Sequence, residues 1–274
     1  MLMQATLRNA LYFEGIGLHT GEHASVEVQP AQPNDGLCFV LGTTRIPAKV
    51  KYVVDTSRAT VLGRDGKTVS TTEHLLSALF AMGVTNAEIL VDGPEIPALD
   101  GSSAEFVAAI LACGLETQPA PRRTFRLFDP FAVTSGDRVM IALPASAFRV
   151  RFVADFAPPI GTQYFCAEID PETYRKEIAA ARTFGYLHEV EALRARGLAR
   201  GGNLENALVF APEGPMQPLR WPDEAVRHKA LDVIGDLALL GAWPLCEIVA
   251  IKSGHELHVS LTRGLRARAI VPSA

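Results

Sequence analysis

Ser70-Thr71-Thr72-Glu73-His74-Leu75-Leu76-Ser77-Ala78-Leu79-Phe80-Ala81-Met82-Gly83 reads as one helix. Its opening has the form of a capping box, in which a hydroxyl and a carboxylate three residues on satisfy each other's free backbone N–H groups, and its apolar run stops at Gly83. Ala87–Val91 follows as a strand candidate. Ser102-Ser103-Ala104-Glu105 then repeats the box ahead of Phe106–Cys113, and that run stops at Gly114. Upstream, His23 to Gln29 alternates, with Ala24, Val26 and Val28 on one face and Ser25, Glu27 and Gln29 on the other, the period of a half-buried strand. Cys38–Leu41, Ala48–Val54 and Ala59–Leu62 are further strand candidates. This half is several strands, then helix, strand, helix.

The second half gives the same order. Strands are expected at Thr124–Leu127, Arg138–Leu143 and Phe148–Phe156. Asp170-Pro171 is an N-cap followed by proline at the first helical position, opening a helix to about Ala181. A short helix covers Glu189–Arg196, and Gly197, Gly201 and Gly202 mark loop. A helix (Asp223–Leu240), a strand (Cys246–Lys252) and a last helix from about Glu256 close the chain. Between the halves, Gln118-Pro119-Ala120-Pro121 favours extended backbone and reads as a linker. The expected fold class is α+β: two similar domains, 1–118 and 122–274, each with helices packed on a sheet. Self-similarity in sequence is too weak to demonstrate a duplication. The stretch Asp170–Gly202 has no evident counterpart in the first half and reads as an insert.

At 274 residues, 48% of them hydrophobic, the chain can bury a sizeable core. Its net charge of −4 leaves no basic footprint for nucleic acid. The opening MLMQATLRNA lacks the apolar centre of a signal peptide, and no apolar run approaches the ~18 residues of a spanning helix, so a cytoplasmic protein without an integral membrane segment is expected. Cys38, Cys113, Cys166 and Cys246 are scattered with no C-x-x-C pair, and are expected as small buried hydrophobes rather than disulfides or a thiolate metal site.

Chemistry concentrates in Ala225-Val226-Arg227-His228-Lys229-Ala230-Leu231-Asp232-Val233-Ile234-Gly235-Asp236. His228, Asp232 and Asp236 step by four, forming one helical stripe that drifts only ~40° per step. Around them lie Val226, Leu231, Val233, Ile234 and Leu237, so part of the stripe must be buried and each carboxylate needs a partner. The stripe reads equally as two ligands on one metal ion or as a polar helix face. Glu73-His74 is not H-E-x-x-H, and Glu73 alone fits the capping role. Taken together, His74, His228 and Asp232 make a His₂-carboxylate set that leaves a position open for water, with Glu73 adjacent as a base. Lys252-Ser253-Gly254-His255 places a histidine on a turn after a strand, where it can face a cleft as a proton donor or simply sit in solvent. Gly15-Ile16-Gly17-Leu18-His19-Thr20-Gly21 is a tight glycine turn without the spacing of a dinucleotide site.

These stretches, with Thr72-Glu73-His74-Leu75-Leu76, Glu95-Ile96-Pro97, Asp100-Gly101-Ser102 and Ala181-Arg182-Thr183-Phe184-Gly185 between them, resemble the UDP-3-O-acyl-N-acetylglucosamine deacetylases of Gram-negative bacteria over nearly the whole chain. The resemblance implies two α+β domains with the active site between their helical layers, an insert in each, and a passage for an acyl chain formed with the second insert. It implies zinc on His74, His228 and Asp232, a donor set that also accepts iron(II). It gives Glu73 as general base, His255 as general acid and Asp236 as the residue that orients and charges that histidine. Lys229 and Thr183 match groups that stabilise the oxyanion or bind substrate. Phe184 is expected by the acyl passage, Phe156 beside the uridine end, and His19 among the substrate contacts. The implied reaction removes acetate from a small UDP-sugar lipid precursor early in lipid A synthesis. Separately from the resemblance, a monomer is expected.

Two positions depart from the family pattern: Ala157-Pro158-Pro159 stands where a His-Pro pair is expected, and His258 where Asn is expected. Both are expected to touch loop shape or nucleotide contacts and to leave the chemistry alone. The alternatives are a metal-dependent deacetylase of a related N-acyl amino sugar, or a non-catalytic relative serving as a binding protein. Presence of the full ligand set with Glu73 and His255 argues against the latter, and the apolar Phe184, Tyr186, Leu187, Leu193 and Leu198 in the insert argue against the former.

Overall fold

A computed structural model of the chain describes residues 2–268. The first half runs β1 (Met3–Leu7), β2 (Leu11–Ile16), β3 (His23–Pro30), β4 (Leu37–Leu41), β5 (Thr44–Pro47), β6 (Val53–Asp55), β7 (Val61–Arg64), β8 (Lys67–Val69), α1 (Glu73–Ala81), β9 (Ala87–Asp92), α2 (Ala104–Cys113) and β10 (Leu115–Pro121). The second runs β11 (Thr124–Arg126), β12 (Phe131–Ser135), β13 (Arg138–Pro144), β14 (Arg149–Asp155), β15 (Thr162–Glu168), α3 (Pro171–Glu177), β16 (Phe184–Tyr186), α4 (Val190–Ala195), β17 (Leu208–Ala211), β18 (Gly214–Pro215), α5 (Glu224–Ala238), β19 (Trp243–Ile251) and α6 (His255–Arg268). Residues 269–274 of the expected second domain lie outside the described residues.

Each half is built on a five-strand path of the same connectivity. The first sheet has the order β2-β3-β9-β4-β5 and the second β12-β13-β19-β14-β15. Along both paths the β4–β9 and β14–β19 pairs are parallel and the other pairs antiparallel; in the second sheet β11 also pairs with β19, in parallel, off the path. A parallel pair needs a crossover, and α1 and α5 supply it. The molecule is therefore two similar α+β domains, and the likeness too faint to read in the residues is explicit in the strand order.

The alternation read in β3 holds: Ala24, Val26 and Val28 are buried, as are Val150, Phe152 and Ala154 of β14 and Cys246, Ile248 and Ala250 of β19. Every residue of α1 is buried, including Leu75, Leu76, Leu79 and Phe80. Each such side chain is worth about 1.5–3 kcal/mol on leaving water. The same is true of most of α5, which packs directly on α1. At that contact a Cβ built on Gly235 would collide with the carbonyl of Glu73, so glycine in mid-helix is what lets the two backbones touch.

Several local expectations are corrected. Neither capping box forms: α1 starts at Glu73 and α2 at Ala104, and neither preceding residue makes a side-chain cap. Ser70 is instead bridged to Glu95, and Thr71 takes a positive φ of 56°. Ala48–Val54 is not a strand; it contains a 3-10 turn at Val50–Tyr52 before β6. Gln118–Pro121 is no linker but the end of β10, paired to β1, with the Gln118 side chain buried. The insert of the second half is longer than Asp170–Gly202, because β17 and β18 pair with β16 beyond it. It also has a counterpart, the small sheet β6-β7-β8 at the same place in the first half, between the last strand of the path (β5, β15) and the crossover helix. Strands β1, β2, β5, β8, β12, β15, β16, β17 and β18 carry no expectation from the sequence. All four cysteines are free thiols, but Cys166 is exposed and Cys113 half-buried. No described helix is long and apolar enough to cross a membrane.

Candidate active site

The stripe on α5 faces α1. His228, Asp232 and Asp236 are 2%, 1% and 0% exposed, and Glu73 and His74 at the start of α1 are 2% and 5%. Five polar side chains are thus sealed between two helices, where each must be partnered.

Donor atoms of His74, His228 and Asp232 all lie within 4.8 Å of one another. His228 Nδ1 bonds the carbonyl of Ala181 at 3.0 Å, which fixes the ring and leaves Nε2 aimed inward. That Nε2 is 3.4 Å from Asp232 Oδ1. Asp232 Oδ1 is a buried side-chain oxygen with no hydrogen-bond partner among the described residues, while Oδ2 accepts from Lys229 Nζ at 2.7 Å. Burial, with His228 alongside, pushes His74 down to about 3, and burial also lowers His228, so both rings are neutral at pH 7, the form in which an imidazole can ligate a cation. Burial opposes ionisation of Asp232, but Lys229 and the three surrounding histidines hold its carboxyl well below the usual range. Two neutral imidazoles and a carboxylate with an unshared oxygen fit a divalent cation.

Glu73 and His255 flank this set. Glu73 Oε2 accepts from the Thr60 backbone N–H at 3.1 Å, and Oε1 lies 3.6 Å from His255 Nε2. Burial pushes the Glu73 carboxyl up to about 8 against the pull of His255. Burial works against charge on His255, but Asp236 and Glu73 outweigh it and raise the imidazole to about 9. His255 Nδ1 is 2.8 Å from Asp236 Oδ2.

The remaining expected residues line or support one cleft of about 930 Å³. Lys229, Thr183, Phe184, His19 and His255 all line it. Phe184 packs edge-on against Phe156 (centroids 5.2 Å) and His228 (6.2 Å). Leu187, Val190, Leu193, Val209 and Met216 make its wall apolar along the second insert. Tyr186 and Leu193 line it as expected; Leu198 does not, and caps α4 through its N–H to Leu193 O. His19 spans the inserts: the Ala199 N–H points at its Nδ1 at 3.4 Å, and Arg58 of the first insert also lines the cleft.

Four supports escaped the sequence reading or were misread. Thr60, expected as strand, donates through its hydroxyl to Asp236 and accepts Thr72 Oγ1 on its carbonyl. Glu95, fully buried, accepts from His19 N, Thr20 N, Thr20 Oγ1 and Thr71 Oγ1, tying the glycine turn to the start of α1. A Cβ on Gly17 would run into that carboxylate, which is why the turn carries glycine there. Arg182 and Glu224 form a buried ion pair at 2.8 Å beside the Ala181 carbonyl. His258 is not a loop or nucleotide-contact position: it is fully buried on α6 with Nδ1 2.8 Å from Asp236 Oδ2. The H-x-x-H spacing His255–His258 was the available signal.

A family model described as LpxC, UDP-3-O-acyl N-acetylglycosamine deacetylase, matches residues 4–267. The chain is 44% identical to a protein named UDP-3-O-acyl-N-acetylglucosamine deacetylase from Syntrophotalea carbinolica, over 98% of this chain and 89% of that one. Proteins of the same name from Myxococcus xanthus and Phenylobacterium zucineum are 43% and 45% identical, over 95% and 97% of this chain and 85% and 94% of theirs.

Proposed function

The chain belongs to the UDP-3-O-acyl N-acetylglycosamine deacetylase family, a family of amide hydrolases, and from that premise we propose that it removes the N-acetyl group of UDP-3-O-acyl-N-acetylglucosamine in the cytoplasm, early in lipid A synthesis. The observation that carries the chemistry is the pair Glu73 and His255, 3.6 Å apart on the flank of the partnerless Asp232 oxygen.

His74, His228 and Asp232 would hold the metal, zinc or iron(II). When bound, such a cation acts as a Lewis acid and lowers the pKa of a ligated water toward about 7. Glu73 takes a proton from the attacking water as its oxygen bonds to the acetamide carbon. Lys229 and Thr183, on the cleft wall, donate to the developing oxyanion, where one lost donor costs about 2.7–4 kcal/mol. His255, held cationic by Asp236, passes a proton to the sugar nitrogen as the C–N bond breaks, because an amine anion does not leave. Acetate and the free 2-amino sugar result. The apolar wall by Phe184, Leu187, Val190 and Leu193 takes the 3-O-acyl chain, Phe156 lies toward the uridine end, and His19 contacts the substrate where the inserts meet.

The test is acetate release from UDP-3-O-acyl-N-acetylglucosamine by wild type, Glu73→Ala and His255→Ala, each with and without chelator. Chelator-sensitive release that collapses in both variants is expected. Folded, metal-replete wild type that releases no acetate from this substrate would overturn the assignment.

A further inference from the structure

His255 and His258 are three residues apart on the first turn of α6, and both rings turn to one atom: each Nδ1 is 2.8 Å from Asp236 Oδ2. The other carboxylate oxygen, Oδ1, accepts the hydroxyl of Thr60, 176 residues away in the first half. His258 Nε2 in turn is 3.1 Å from Ser253 Oγ. An ionised carboxylate only accepts, so the ring nitrogen facing it carries a proton; the other nitrogen of a neutral imidazole then accepts, and Ser253 is its donor. Burial keeps His258 neutral, against the pull of Asp236. The contacts therefore select one tautomer, Nδ1–H with bare Nε2.

We propose that His258 is a positioning residue for the deacetylation: by donating to Asp236 Oδ2 it fixes that carboxylate independently of His255, so that His255 is aimed by an anchor that does not follow it. The proposal rests on the functional reading above for its effect on turnover, and on hydrogen bonding alone for its geometry. With Thr60 as sole partner besides His255, Asp236 could rotate about its Cβ–Cγ bond and carry the His255 ring with it. A second N–H on Oδ2 removes that freedom. Removing a group that orients a metal-ligating histidine commonly costs about 10–100-fold; His258 acts on His255 through Asp236, one hydrogen bond further out, so the low end of that range is expected. His258 does not itself line the cleft and hydrogen-bonds none of the proposed metal ligands, so loss of its anchor on Asp236 falls on kcat; its other partner, Ser253, does line the cleft, and a disturbance passed through that hydroxyl would show in KM instead.

Two measurements test this. Histidine-selective ¹⁵N NMR of the zinc-loaded protein, with His258→Asn used to assign the signals, reports the tautomer without reference to activity. A protonated Nδ1 and unprotonated Nε2 on His258 are expected; the opposite tautomer overturns the geometry even if the enzyme is fully active. In kinetics, His258→Asn keeps an N–H at the δ position and should hold kcat within about threefold of wild type. His258→Leu removes the donor and should lower kcat at least about tenfold at unchanged KM and unchanged zinc content. A folded, zinc-replete Leu variant with wild-type kcat sinks the positioning role. Should the Leu variant not fold, loss of kcat in His258→Asn alongside the predicted wild-type tautomer would overturn it equally, since the δ donor is then present but without effect.

Discussion

Gly235 of α5 lies against the backbone of Glu73 at the first residue of α1, close enough that a methyl group would collide with the Glu73 carbonyl. The two crossover helices therefore touch at the turn that carries the proposed base, and the histidine stripe of α5 meets Glu73-His74 because this residue has no side chain.

Gly235→Ala isolates that contact. Alanine is favoured over glycine inside a helix by about 0.8–1 kcal/mol, whereas overpacking against backbone costs about 1–3 kcal/mol. Since backbone cannot rotate aside, the second effect should win: denaturant melts should show net destabilisation, and kcat should fall further than stability. An Ala variant as stable and active as wild type would show that the helices can separate without consequence.

Asp232→Asn tests the cation site from the orphaned oxygen. It removes the one charged donor of the set while keeping volume. Bound metal, measured by elemental analysis after dialysis, should drop below about a tenth of an equivalent. Metal added to the wild-type apoprotein should raise Tm in a concentration-dependent way, as any ligand specific to the native state does. Stoichiometric metal in the Asn variant would move the site elsewhere.

Asp236→Asn tests the pH dependence. His255 is raised from about 6.5 to about 9, so the stability contributed by its protonation is whole below pH ~6.5 and lost as pH rises through about 9. Asp236 itself is depressed, so its share is present above pH ~4 and lost on acidification. Removing the carboxylate should move the alkaline limb of kcat/KM to lower pH. On the proposed mechanism the acid limb should report Glu73, 3.6 Å from His255; burial pushes this carboxyl up to about 8, and a cation on the neighbouring residues would lower it. An alkaline limb unmoved in the Asn variant would separate Asp236 from the proton donor.

Glu224→Gln breaks the Arg182 pair. Glu224 is 0% exposed and also accepts the Arg182 and Arg220 backbone N–H groups. Burial resists its charge, but Arg182 and these donors hold its carboxyl low, so the pair's stability is present above pH ~4.3 and lost as pH falls. Leaving the Arg182 charge buried alone should cost about 3–5 kcal/mol in equilibrium unfolding. Because the Ala181 carbonyl next to it orients His228, metal affinity should weaken too. A loss under 1 kcal/mol would mean the guanidinium finds water.

What the residues alone determined was periodic. Four-residue steps put His228, Asp232 and Asp236 on one buried face, and two-residue alternation put Val26 and Val28 inside, because helix and strand geometry fix which side chains share a face. The order strands, helix, strand, helix was legible in both halves for the same reason. What the face is buried against is a separate matter. The capping-box reading of Glu73 failed because its carboxylate is taken by the Thr60 N–H and His255, partners that local spacing cannot reveal. Thr60, Glu95 and His258 gained their places only when strands and helices far apart in the chain were packed: a buried charge takes whichever donors the fold brings to it, and those arrive from 176 residues away at Asp236 and from the far end of the chain, at His255, for Glu73.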